Sequence, residues 1–322
     1  MRIIFMGTPD VAVPTLERII EAGHTVEAVF TQPDRPVGRH QTLMPPPIKR
    51  AALAHGLPVY QPAQIKTDEV RQQFLAVAPD VAVVVAYGRI LPPWLLEIPR
   101  WGCINVHFSL LPKYRGAAPV NWAIACGETE TGVTTMQMDA GLDTGPILLQ
   151  KSCSIEPDET APELAARLAV IGAELLVQTL ALIEQGAITP QAQDHSQATL
   201  APILKREDGL INWQMPAQHI HNRIRGFQPW PGAWTIFNGQ RLIIWGANVV
   251  SADQPDERER AQRDAVTAPG TIVHAGKERL VIQCGDLSLL QIEELQLEGR
   301  RRMKTRDFLN GIRVDAGMQL GH

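Results

Sequence analysis

Arg2-Ile3-Ile4-Phe5-Met6, then Gly7-Thr8-Pro9-Asp10, then Val11 to Glu21 and Thr25 to Phe30: the fold is decided in this opening stretch. The first five residues are a β-rich run, which glycine and proline then break. Val11 to Glu21 carries apolar residues at helical spacing, and Gly23 stands just past its end in a C-cap position. Thr25 to Phe30 reads as the next strand. Strand, turn, helix, strand is a βαβ unit, which predicts a parallel sheet with helices on its faces. Asp80 to Ala86, rich in Val and Ala, suits a central strand buried on both faces. Glu163 to Gln185 reads as a long amphipathic helix closing a Rossmann-like α/β domain.

The second part of the chain has a different rhythm. Thr189 to Pro202 is rich in Gln, Ala, Thr and Pro and reads as an exposed linker. Ala217 to Arg225 is a helix candidate. Short β-like pieces follow at 234–237, 241–246, 270–274, 280–284 and 287–295, spacing that suggests a small barrel. The polar stretch from Ser251 to Ala268 reads as a flexible loop. The expected division is a first domain over 1–189, a linker over 190–206 and a β domain over 207–322.

Bulk properties agree with two cores: 322 residues, 45% of them hydrophobic. The net charge of −4 argues against general adhesion to nucleic acid, but it is an average. Before residue 204 there are 14 basic and 20 acidic residues, net −6; after it, 16 and 14, net +2. The less acidic second part holds the arginine clusters, compatible with local phosphate contacts. Cys103, Cys126, Cys153 and Cys284 lack metal or redox spacing and read as reduced thiols. The N-terminus enters a strand directly, and no apolar stretch reaches the roughly 18 residues of a membrane span. A soluble, cytoplasmic monomer is expected.

Chemistry concentrates in two runs. Cys103 to Phe108 reads as a buried strand running into a Pro-containing turn, so Asn105 and His107, two apart, point to the same side. Ligand sites in such sheets lie beyond the carboxyl ends of the strands. An Asn amide and a protonated His there could stabilise an oxyanion. Asp143, in a Gly-rich run, supplies a carboxylate that would orient the imidazole and raise its pKa. A lone Asn-x-His fits a hydrogen-bonded core histidine better than a catalytic one; the adjoining loop and the Asp-Gly-rich segment turn the reading toward catalysis. Gly7-Thr8-Pro9-Asp10 lacks the later glycines of a dinucleotide loop, and Pro9 removes a backbone donor, so NAD is not expected. His219 and His221 lack further zinc ligands, and no metal is expected. Trp213, Trp230, Trp234 and Trp245 read as core. Arg223, Arg225, Arg300, Arg301, Arg302, Lys304 and Arg306 read singly as surface charge and together as a possible phosphate-facing set.

Asn105 to Pro112, with Ser109-Leu110-Leu111-Pro112 at its end, continues into Lys113-Tyr114-Arg115-Gly116-Ala117-Ala118-Pro119. It resembles the signature of the formyltransferases that use 10-formyltetrahydrofolate. So do Glu130-Thr131-Gly132-Val133-Thr134, Met136-Gln137-Met138-Asp139 and Gly141-Leu142-Asp143-Thr144-Gly145. These blocks do not choose the formyl acceptor. Phe5 to Asp10, Thr31 to Arg39, Ile211-Asn212-Trp213 and Arg225 to Trp234 are similar to the methionyl-tRNA formyltransferases within that group. The resemblance implies formyl transfer from 10-formyltetrahydrofolate, as co-substrate, to the amino group of initiator methionyl-tRNA. The product would be N-formylmethionyl-tRNA for translation initiation. It implies catalysis by Asn105, His107 and Asp143, and folate contacts from Ser109, Leu110, Leu111, Pro112, Gly88, Ile90 and Leu91. It further implies a tRNA contact from Arg39 and an OB-like second domain. Phe108 departs from the smaller residues familiar there, at the edge of the expected folate pocket. Rival readings are a sugar-nucleotide or purine-precursor formyltransferase, and a catalytically silent tRNA- or folate-binding protein.

Overall fold

The computed structural model describes residues 1–37, 41–250, 267–276 and 278–321. Two compact units emerge. One comprises 1–119, 130–154 and 163–202, the other 120–129, 155–162 and 203–322.

The first unit is built on strands β1 (Arg2–Gly7), β2 (Thr25–Phe30), β5 (Val59–Tyr60), β6 (Val81–Val85), β7 (Cys103–His107), β8 (Glu130–Gln137) and β9 (Ile147–Ser154). A two-stranded hairpin, β3 (Arg35–Val37) with β4 (Thr42–Met44), stands apart. The sheet order is β5-β2-β1-β6-β7-β8-β9. The five strands from β5 to β7 run parallel, as the βαβ reading requires, while β8 and β9 are antiparallel additions. Chain order reverses between β1 and β6, which opens a crevice at their carboxyl ends. All five residues of β6 are buried, as expected for a central strand.

Helices α1 (Val13–Glu21), α2 (Pro47–Ala54), α3 (Asp68–Val77), α4 (Pro93–Glu97) and most of α6 (Ala161–Glu184) belong to this unit, while α5 (Pro119–Ala125) falls almost wholly in the second. On one face of the sheet, Phe74, Val70 and Leu95 pack with Ile4, Met6, Phe30 and Val84. Contrary to the sequence reading, α6 is long and apolar enough to cross a membrane by length and composition. Its buried residues explain this: Leu164, Leu168, Leu176, Leu180 and Ile183 recur at helical spacing. Thr179 also bonds Thr135 of β8 through their hydroxyls at 2.8 Å. It is a core helix.

Alternation along β7 divides its work. A Cβ on Gly172 of α6 would lie 2.8 Å from Val106 Cγ1 and 3.4 Å from Phe108 Cε1. Val106 and Phe108 therefore face α6, and Asn105 and His107 face the other side. Phe108 is packing against a glycine-made recess and does not intrude on the catalytic side.

The second unit carries α7 (Ala217–Gly226), strands β10 (Ala233–Phe237), β11 (Gln240–Val249), β12 (Ile272–Gly276), β13 (Arg279–Gln283), β14 (Leu289–Leu297) and β15 (Met303–Lys304), and α8 (Thr305–Gly311). The antiparallel order is β10-β11-β14-β13-β12, with β15 beside β14. Both edge strands send residues, Phe237 and Ile272, into one core with Ile244, Ile282 and Leu295, the curl of a small barrel. Trp213 belongs to that core, 5% exposed, and donates to Thr235 Oγ1 at 3.1 Å. The other three do not: Trp234 and Trp245 are half-buried and Trp230 is 55% exposed, correcting the expectation that all four tryptophans are core. The polar stretch at 251–266 lies outside the described residues.

In an ordinary helix, Gly to Ala gains about 1 kcal/mol of helix propensity. At Gly172 the stiff Val106 is in the way, so overpacking of about 1–3 kcal/mol prevails. Gly172→Ala is expected to lower the thermal midpoint; an unchanged or higher midpoint contradicts the close approach of α6 to β7.

Candidate active site

β7 ends in the crevice and presents Asn105 and His107 there. Asn105 is half-buried, and its amide has no partner among the described residues. His107 is 5% exposed, and its Nε2 lies 3.0 Å from the carbonyl oxygen of Tyr114. That oxygen can only accept, so Nε2 carries the proton. Nδ1 is left facing Asp143 Oδ2 at 3.7 Å. The sequence-predicted trio is thus placed as two residues on one strand and a carboxylate next to the histidine.

The Asp143 carboxylate is held by a strained turn between β8 and β9. Asp143 sits at φ +52°, in the left-handed region. Asp139 Oδ1 accepts from Gly141 N at 3.0 Å and from Thr144 Oγ1 at 2.7 Å, shaping the turn. A Cβ on Gly145 would lie 1.8 Å from Gln137 O, so only glycine fits there. Asp143 Oδ2 accepts from Gly116 N at 2.8 Å, which aims it toward His107.

The charge state differs from the sequence expectation. Burial pushes the His107 imidazole below its ordinary range, and Asp143 and the Tyr114 carbonyl only partly oppose this. The resting ring is neutral. A gap of 3.7 Å, too long for a hydrogen bond, agrees with a lone pair on Nδ1.

The Ser109–Pro112 loop is shaped by hydrogen bonds from its own serine and from Thr134 of β8 and Gln150 of β9. Ser109 is fully buried and donates to Lys113 O at 2.7 Å. Thr134 Oγ1 donates to Ser109 O at 2.7 Å and accepts from Leu111 N at 3.1 Å. Gln150 Nε2 donates to Leu111 O at 2.9 Å. The Ser109 hydroxyl and both backbone groups of Leu111 are therefore committed to loop shape. Leu110 and Pro112 remain half-buried.

Beside β7, the loop after β6 is tied at Tyr87, whose carbonyl accepts from Thr8 Oγ1 at 3.2 Å and Gln32 Nε2 at 3.0 Å. Beyond it Gly88 is exposed at φ +78°, Ile90 is 79% exposed and Leu91 is buried. An exposed isoleucine beside backbone groups is a fitting wall for a flat heterocycle. A cleft of about 490 Å3, lined by Tyr60, Gln61, Gln64, Thr67 and Gln73, contains none of these residues. Arg39 lies outside the described residues; Leu43 and Met44 of the hairpin beside it are 66% and 46% exposed.

Sequence reasoning missed three supports of the site. Tyr114 supplies the carbonyl, and its own N–H donates to Thr199 Oγ1 at 2.8 Å. Gln193 Nε2 donates to the carbonyls of Asp143, at 2.9 Å, and Gly145, at 2.7 Å. Both partners lie in the stretch read as a linker, where composition gave no sign of a structural duty.

Residues 1–180 match the formyl transferase family and 203–313 the formyl transferase C-terminal domain. The chain is 54% identical to the methionyl-tRNA formyltransferase of Acidobacterium capsulatum, with all of both chains covered. It is 52% identical to that of Geobacter metallireducens, covering all of this chain and 99% of the other. The chain belongs to the methionyl-tRNA formyltransferase family. Among solved structures, the fold is similar to an N-formyltransferase from Helicobacter canadensis, solved with folinic acid and dTDP-3-aminofucose. That match has a TM-score of 0.65 at 20% identity and covers 90% of this chain and 98% of the other. At that identity it speaks to the family's fold alone.

Because burial lowers the pKa of His107 from the ordinary 6.5, the folded ring binds its proton less tightly than the unfolded ring. Its contribution is fully present above about pH 6.5 and is lost as pH falls toward the folded-state value. His24 and His221 act in the same direction. His107→Asn should therefore flatten, in part, the fall of the thermal midpoint between about pH 7 and pH 5.5. An identical slope in parent and variant contradicts a depressed His107.

Proposed function

We propose that Asn105, His107 and Asp143 transfer the formyl group of 10-formyltetrahydrofolate to the amino group of methionine on initiator methionyl-tRNA. The observation that carries this reading is an unengaged amide on the same strand end as a neutral imidazole backed by a carboxylate. The acceptor follows from full-length similarity to methionyl-tRNA formyltransferases.

Asn105 donates to the formyl oxygen as charge develops on it, the role its free N–H groups suit. His107 takes the proton shed by the attacking amine on Nδ1, the ring nitrogen not committed to Tyr114. Asp143 stabilises the imidazolium so formed, which offsets the burial that keeps the resting ring neutral. His107 then returns the proton to the folate nitrogen as its bond to the formyl carbon breaks. One C–N bond forms, one breaks and one proton changes nitrogen; no covalent enzyme intermediate is involved. Gly88, Ile90, Leu91 and the Ser109–Pro112 loop hold the folate, with Ser109 and Leu111 acting through loop shape.

The Thr31–Arg39 sequence, with Arg39, approaches the acceptor end of the tRNA, where a guanidinium can clamp phosphate or stack on a base. In the second unit Arg225 is not available for such contacts: it is buried and donates to Glu159 O at 2.8 Å and Asn222 Oδ1 at 2.8 Å. Arg302 lies over Trp245 and pairs with Glu294. Arg300, Arg301 and Lys304 are exposed and better placed for phosphate.

Labelled formyl donor offered with charged initiator tRNA, with a UDP-amino-sugar, or with no acceptor should label only the tRNA arm. Asn105→Ala should lower kcat by about 100-fold or more. His107→Ala and Asp143→Ala should each do so by about 100-fold. Label on the sugar, or near-parental turnover in any of the three variants, contradicts the assignment.

A further inference from the structure

We propose that Gln193 is a positioning residue of formyl transfer, setting where the Asp143 carboxylate stands relative to His107. The inference rests on the catalytic reading of that pair.

Gln193 is 6% exposed while its neighbours Ala192, Asp194 and His195 are exposed, so one side chain of this segment is selectively buried. Both amide protons of the glutamine are spent on the turn that carries Asp143, through the carbonyls of Asp143 and Gly145. Its oxygen accepts from Arg115 Nε at 3.1 Å and Nη2 at 2.6 Å. The amide's hydrogen-bonding capacity is filled, and its orientation is forced, because only nitrogen can face two carbonyls and only oxygen can face a guanidinium.

Arg115 is buried as well and is fixed by its backbone: its N–H donates to Thr199 O at 2.9 Å, and its carbonyl accepts from Ala201 N at 2.7 Å. Gln191 is joined to Ile147 by two backbone bonds of 2.8 Å. Residues 191–201 thus form a strap braced at both ends, with Gln193 reaching inward between the braces. Its target is a non-glycine residue at φ +52°, a conformation that persists only where its surroundings hold it. Gly116, whose N–H bonds the Asp143 carboxylate, directly follows Arg115 in the chain. Gln193 therefore ties the backbone beneath the carboxylate to the segment that receives it.

The deciding variant is Gln193→Glu. It keeps size and the Arg115 contact but turns an oxygen on two carbonyls. Gln193→Ala removes the bridge, and Gln191→Ala, an exposed side chain on the same strap, is the control. An ångström of misplacement costs on the order of 100-fold in rate, so a partial shift should lower kcat at least about tenfold in Gln193→Glu. KM for the formyl donor should stay within about twofold, because the bridge touches the Asp143 turn and not the folate loops. The acid limb of kcat against pH should move, since the field of Asp143 on Nδ1 changes. Gln191→Ala should match the parent. Thermal midpoints and tetrahydrofolate binding report folding; should Gln193→Ala not fold, Gln193→Glu decides. The proposal is overturned if Gln193→Glu keeps parental kcat, or loses kcat with the pH limb unmoved. Asp143→Asn, measured alongside, separates the two readings. If it is fully active, the catalytic pair itself is wrong; if it is inactive while Gln193→Glu is parental, only the positioning role fails.

Discussion

A carbonyl oxygen can accept a hydrogen bond and cannot give one, and the chemistry of this site depends on where one such oxygen stands. The Tyr114 carbonyl lies against His107 Nε2, so the ring proton is placed there and Nδ1 is left to face Asp143. Burial then keeps the ring neutral until a proton arrives. A neutral base backed by a carboxylate suits moving one proton between two nitrogens. A permanently charged donor does not. The loop bonds among Ser109, Lys113, Thr134 and Leu111 shape the turn that leads into Tyr114.

The sheet supplies the rigidity. β7 has β6 on one side and β8 on the other, and its alternate residues serve opposite purposes. Val106 and Phe108 pack against α6, where Gly172 makes room. Asn105 and His107 are thereby fixed on the crevice side by packing they do not take part in. Phe108 bears on the core and leaves the pocket's local shape to its neighbours.

Much of this was legible in the sequence, and the failures have physical causes. The βαβ unit, the central strand at 81–85 and the short strands of the second unit follow from periodicity and turn residues, because burial demands those patterns. The antiparallel pair β8 and β9 was not read as such: its threonines and glycine carry no clean alternation, and it braces the 109–112 loop through the Thr134 hydroxyl and the Gln150 amide. Asn105, His107 and Asp143 are legible as residue types, and the structure sets His107 beside Asp143; the burial that lowers the His107 pKa is not legible, since a nearby carboxylate is visible in a sequence and the depth of burial is not. Gln193 and Thr199 escaped because they work on backbone carbonyls and N–H groups, which every residue possesses and no composition reveals.

Nitrogen NMR of the protein with its histidine rings labelled, the His107 signals assigned by their loss in His107→Asn, tests the account at its root. At neutral pH the two ring nitrogens should differ, with Nε2 protonated and Nδ1 bare, and Nδ1 should take up a proton only below the ordinary histidine range. Two protonated nitrogens at neutral pH, or a proton on Nδ1 alone, would contradict it.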